Sequence, residues 1–297
     1  MKKLFLLFVI TTFTPNLNAQ EEYGEFLDNA MEAAEKYEVE EYNTNMKYFI
    51  TAIERDNVIP ETLPEIFYEK YLDAVYAGFF YEISLSDEFR KTVFEFAEYG
   101  ANHQNAKAMM ILGFYYNDWR SAEKDEKKST HWYQMAAENG NPDAMNFIGQ
   151  FYHHGILGFE KDEKKSKFWS DKALETFLQQ AEQENEENDL TLLGLSNYYL
   201  QKKNYKEAKK WTLKTAEREN IYGIVVMASI YMMEANYSEA AVWVEKAADK
   251  GQPTGMMLMG TILGTNGKYQ EATDWFQKAC DAGNQMSCDL KKAYETL

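Results

Sequence analysis

The chain has 297 residues, of which 31 are basic and 48 acidic, giving a formal charge of −17. Such a surplus of carboxylates offers no positive footprint, so it argues against nucleic acid and against an anionic membrane surface as partners. A partner with basic residues is compatible with it.

The N-terminus reads MKKLFLLFVITTFTPNLNAQEEY. Lys2 and Lys3 are followed by an apolar run, Leu4 to Phe13, too short to span a bilayer comfortably, and a cleavage position follows Ala19. This is the layout of a secretory signal peptide over residues 1–19, with an uncleaved anchor as the alternative. No cysteine follows the run, which disfavours a lipid anchor. Losing the two lysines takes the charge from −17 to −19. No later segment has eighteen continuous apolar residues, so the mature chain is expected to be exported, periplasmic or secreted, without an integral membrane segment.

Residues 20–104 are expected to be helical, either as divergent repeat units or as a separate cap. AMEAAEKYEVEEY and PEIFYEKYLDAVYAGFFYEI are the main helical runs, and Pro60 and Pro64 mark turns. KTVFEFAEYGANHQ reads as a second helix closed by a glycine turn.

Residues 105–297 repeat. Trp132, Trp169, Trp211, Trp243 and Trp275 share one register, the last three spaced by 32 residues. Small residues align at Ser196, Ala228 and Gly260, tyrosines at Tyr205, Tyr237 and Tyr269, and alanines at Ala208, Ala240 and Ala272. Each unit reads as two helices, Tyr222–Met233 then Ser238–Asp249, and Thr254–Leu263 then Gln270–Asp281. Gly251 and Gly283 end the second helices as left-handed caps. The small residues let paired helices approach, with the tyrosines and tryptophans filling the space beside them. Two earlier units have longer turns and share DEKKS, in which Asp125 and Asp162 are placed to cap the second helix. QQAEQENEEN, residues 179–188, extends a helix or forms an acidic connector. The architecture is therefore expected to be all-α, an α–α superhelix of helix-turn-helix repeats ending in a capping helix.

The only cysteines, Cys280 and Cys288, lie eight residues apart at the last repeat turn. An exporting route permits a bridge between them. A reduced buried pair is the alternative, and the spacing is not that of a CxxC redox site.

The repeat pattern resembles the Sel1-like family, the longer-turned relatives of tetratricopeptide repeats. Leu112, Gly113 and Tyr116 are similar to the first-helix signature, as are Ile148, Gly149, Tyr152 and Gly155. Asp125, Lys128, Ser129, Trp132, Ala136, Ala137, Gly140 and Asn141 continue it in unit one, and Asp162, Lys165, Ser166, Trp169 and Ala173 in unit two. The three later units have compact turns closer to ordinary tetratricopeptide repeats. The cysteine pair is similar to that of exported cysteine-rich Sel1-like proteins, and that resemblance implies a disulfide holding the terminal helix. The family comparison also implies protein or peptide binding, usually on first helices lining the inner face.

The positions corresponding to that face are Met110, Phe114 and Asn117 in unit one, and Asn146, Gln150 and His153 in unit two. Asn197 follows in unit three, then Val225, Ser229, Met232, Met257 and Thr261. Amides there can clamp a peptide backbone, and methionines adapt to varied side chains. Nearby carboxylates would favour Lys or Arg on the ligand. No HExxH, GxSxG, phosphate loop or zinc-ligand spacing occurs, and no SxxK and KTG constellation is assembled, so the chain is expected to be non-enzymatic and to need no cofactor or metal. The alternatives are a structural envelope array without a groove ligand and a divergent cell-wall or β-lactam hydrolase.

Overall fold

The computed structural model describes residues 17–36, 38–56, 58–80, 87–117, 124–183 and 188–295. Residues 1–16, the core of the expected signal peptide, lie outside that set, as do residues 118–123 and residues 184–187 of the acidic stretch. Every regular element described is an α-helix. In chain order they are α1 (Leu17–Lys36), α2 (Val39–Arg55), α3 (Glu65–Phe80), α4 (Asp87–Asn102), α5 (Ala106–Asn117), α6 (Glu126–Glu138), α7 (Pro142–His154) and α8 (Glu163–Gln183). They continue as α9 (Asp189–Gln201), α10 (Tyr205–Glu217), α11 (Ile221–Met233), α12 (Tyr237–Asp249), α13 (Pro253–Thr265), α14 (Tyr269–Asp281) and α15 (Gln285–Tyr294). Successive helices pack pairwise from α4 to α7 and from α9 to α15, and α3 also meets α5 as α11 meets α13. The fold class is all-α, an α–α solenoid of helix-turn-helix repeats. Two compact units divide the chain. One is Glu38–Thr176 with the residues up to Ala34, and the other is Phe177–Leu297 with Glu35–Tyr37.

Helix boundaries follow local chemistry. Asp125 accepts from the backbone N–H groups of Lys127 and Lys128, and Asp162 from those of Lys164 and Lys165, as the DEKKS motif predicts. Asn141, Asn188, Asn220 and Asn284 cap α7, α9, α11 and α15 the same way. Gly251 and Gly283 take left-handed φ values of 78° and 96° where the chain leaves α12 and α14.

Two expectations for the N-terminal part are revised. AMEAAEKYEVEEY is not one helix. The backbone N–H of Glu38 bonds back to the carbonyl of Ala33, closing α1, and α2 restarts at Val39. The break lets both apolar faces turn inward: Tyr23, Leu27 and Ala30 on α1, Tyr42, Met46 and Phe49 on α2. Gly100 is not a turn glycine either. It lies inside α4, where an added Cβ would overlap the Tyr68 hydroxyl and meet Ala108, and the turn falls at Gln104 (φ 64°).

In the repeats the small column packs as expected but against a different partner. The residue after each marker tryptophan fills the gap. Gly113 faces the Tyr133 ring, Gly149 meets Ser170, and the Ser196 and Thr212 hydroxyls bond. Ala228 and Val244 share one buried cluster, and a Cβ on Gly260 would meet the Phe276 ring at 2.7 Å. The size swap within each pair keeps the interhelical gap filled. Tyr237 and Tyr269 are instead 45% and 44% exposed at the helix starts.

The last unit closes on α15. Cys280 and Cys288 form a disulfide with Cα atoms 4.9 Å apart. The Tyr294 ring covers Gly264 and stands edge-on to Phe276 at 5.1 Å.

Candidate functional site

Each first helix carries one stripe at i, i+4 and i+7, on one face of the helix. In α5 it is Met110, Phe114 and Asn117, and in α7 Asn146, Gln150 and His153. In α9 it is Leu193, Asn197 and Leu200, in α11 Val225, Ser229 and Met232, and in α13 Met257, Thr261 and Gly264.

The first position belongs to the core rather than to an open face. Met110 is 0% and Val225 3% exposed, so both are packing residues, contrary to the expectation that they face a ligand. The reason is that first helices pack on one another as well as on second helices, as α11 does on α13. Asn146 is buried too, and its side-chain oxygen has no hydrogen-bond partner. Met257 remains half-buried.

The middle position is half-buried in every repeat: Phe114, Gln150, Asn197, Ser229 and Thr261. Ser229 donates to the carbonyl of Val225 and Thr261 to that of Met257, each at 3.0 Å, so their hydroxyl protons are used within the helix. Phe114 stacks edge-on with Tyr76, Tyr133 and Phe147. The amide of Asn197 makes no hydrogen bond to a described residue. At the third position Asn117 and His153 are exposed and Met232 is half-buried. His153 pairs with Glu163 at 3.1 Å, which holds the Glu163 carboxyl below its usual value. A further half-buried column, Leu190, Tyr222 and Thr254, lies three residues before the first position. It escaped the sequence reading because its three side chains share no chemistry.

Two carboxylates, Asp189 buried and Asp143 half-buried, position these helices. In the second unit, Asp189 at the start of α9 accepts from Arg218 at 2.7 Å and Asn220 at 3.0 Å, tying consecutive repeat turns together. Burial pushes its carboxyl up, against the pull of Arg218 and Asn220. In the first unit, Tyr76 on α3 donates to Asp143 on α7 at 2.6 Å. Burial pushes Asp143 up to about 6, while the Tyr76 bond works in the opposite direction.

A carboxyl raised in the folded state binds its proton more tightly there than in the unfolded chain. Its contribution is therefore full below the ordinary value of 3.8 and is lost as pH rises to about 6. Asp143→Asn removes that loss. Relative to the parent, the variant should gain on the order of 1–2 kcal/mol between about pH 4 and pH 6.5 in urea unfolding. A pH-independent difference between the two proteins would contradict the assignment.

No group of three or more His, Cys, Asp or Glu side chains able to hold a metal ion occurs among the described residues. No described helix is long and apolar enough to cross a membrane.

Paired helices, small residues at each crossing and a stripe repeated once per pair define an α-helical repeat protein of the interaction-scaffold type. The Sel1 repeat matches five times, at residues 106–141, 142–175, 190–220, 227–252 and 255–284, which together exceed half of the chain, and the protein belongs to the Sel1 repeat family. Proteins of this family serve as protein-interaction scaffolds and are typically non-enzymatic. A tetratricopeptide repeat protein from Parabacteroides merdae shares the fold at a TM-score of 0.50 and 15% identity, covering 93% of this chain and 99% of that one. A Sel1 repeat protein from Oxalobacter formigenes is 21% identical, with a TM-score of 0.41, over 66% of this chain and 82% of that one. The ERAD-associated E3 ubiquitin-protein ligase component HRD3A of Arabidopsis thaliana is 38% identical over 58 residues, 19% of this chain. The match spans 9% of that protein's length.

Proposed function

We propose that this protein is a non-enzymatic scaffold that binds a protein or peptide along the stripe of its first helices, and that it works outside the cytoplasm. The observation that carries the binding site is the middle column, half-buried in all five repeats while the neighbouring column is core in all but the last. Half-buried side chains at a fixed repeat are already ordered, so contacting them costs little further entropy. Gln150 and Asn197 supply the amides that can hold a peptide backbone, and Met232 and Met257 supply adaptable apolar surface. The basic-led apolar run at residues 1–19 and the Cys280–Cys288 disulfide support the export reading.

The test is affinity capture from cell-envelope and secreted fractions, using the disulfide-bonded chain and a folded Gln150→Glu/Asn197→Asp variant as matched baits. A protein retained by the parent and lost by the variant is the expected result. Equal retention would move the interface to another face.

A further inference from the structure

The first helices of the second unit differ from its second helices in one respect. α11 and α13 contain no charged residue, and the one charge of α9, Asp189, is buried against Arg218. The second helices α10, α12 and α14 all carry several, such as Lys206, Lys209 and Lys210 on α10 alone. Burial of the first helices accounts for their apolar core positions. Tyr222 and Met232 pack one side against these cores, yet they and Met257 keep part of their surface open, and that open surface is uncharged as well.

Resting on the binding face proposed above, we infer that the second unit's stripe takes an uncharged, apolar-rich segment of a partner protein, rather than the Lys- or Arg-bearing segment that the net charge suggests. A ligand ammonium, guanidinium or carboxylate seated on this stripe would lose hydration without meeting a counter-charge on the stripe itself, which weakens its binding. An apolar side chain there meets methionine and tyrosine and loses nothing comparable. Ser229 and Thr261 have spent their donors on their own helices, so the Asn197 amide is the main amide left to fix a backbone, beside the Thr254 hydroxyl. Charge matching thus selects for neutrality on this face. The acidic surplus of the chain lies elsewhere and does not set the ligand class.

The probe is a random peptide display library panned against the full, disulfide-bonded chain, with enriched peptides then measured against a folded Ser229→Lys/Thr261→Lys variant. Enriched peptides should be free of Lys, Arg, Asp and Glu across their central positions and should bind the variant at least about tenfold more weakly. Enriched peptides with central Lys or Arg that still lose affinity for the variant would overturn the ligand class while leaving the binding face intact. Peptides that bind parent and variant equally would overturn the face itself, and the absence of any enrichment would count against both. A concentration-dependent dimer of the parent, abolished in the variant, would assign the stripe to a second copy of this chain and overturn the peptide ligand. The composition of the enriched peptides is read on the parent alone, so it holds even where the variant fails to fold.

Discussion

Gly113→Ala is expected to destabilise the protein by about 1–2 kcal/mol, although alanine is the better helix former. In an exposed helix the exchange would favour folding by about 1 kcal/mol, because glycine gives up more backbone entropy. Here an added Cβ would overlap the Tyr133 ring. That ring is 3% exposed and stands edge-on to Phe114 and Phe147 at 6.0 Å and 5.5 Å, so it has no space to retreat into. The Ser129 hydroxyl also donates to the Gly113 carbonyl at 2.9 Å, tying the helices at the point of overlap. Overpacking of a filled core costs about 1–3 kcal/mol, and against a ring with no room to shift the upper part of that range applies, which outweighs the propensity gain. Tyr133→Leu in the Gly113→Ala background should recover part of the loss, giving strong non-additivity in a double-mutant cycle. Urea unfolding of the four proteins decides it, and a Gly113→Ala variant as stable as the parent would show that the crossing is not where the structure places it.

Breaking the Cys280–Cys288 disulfide should release α15 and remove about 2–3 kcal/mol from the last repeat. The loop it closes is short, so the entropic gain lies at the lower end for such bonds. The local effect is large because α15 has little else holding it. Ser287 is its one buried residue among those described, and its ring contacts are those of Tyr294, edge-on to Phe276 at 5.1 Å and to Tyr269 at 6.1 Å. A helix of ten residues is marginal on its own, so without the staple it should fray. Amide hydrogen exchange of Cys288→Ser against the parent is the measurement. Exchange should rise sharply over Gln285–Tyr294 while α11 and α12 keep their protection. Unchanged protection there would mean that packing alone docks the helix. A loss spread over the whole second unit would mean that α15 is part of its cooperative core rather than a stapled end.

Much of the architecture could be read from local chemistry. The spacing of Trp211, Trp243 and Trp275 set the repeat length, and helix ends fell at Asp125, Asp162, Gly251 and Gly283, where side-chain capping or a left-handed turn needs only a few neighbouring residues. The approach of two helices at Ser196, Ala228 and Gly260 was legible for the same reason, since a small residue in a fixed column has little other purpose. What faced those residues was not legible. Thr212, Val244 and Phe276 share no chemistry, and only packing reveals that each fills the volume its partner vacates. The candidate face divided along the same line. Sequence periodicity placed Met110, Phe114 and Asn117 on one stripe, but a stripe one helix wide does not say which edge a neighbouring helix will cover. Packing of neighbouring helices decided that, such as α3 on α5 and α11 on α13, with Met110, Asn146 and Val225 buried and Phe114, Gln150, Asn197, Ser229 and Thr261 left at the surface of the stripe. Periodicity is a property of one helix and is written in its residues, whereas exposure is a property of the helices around it.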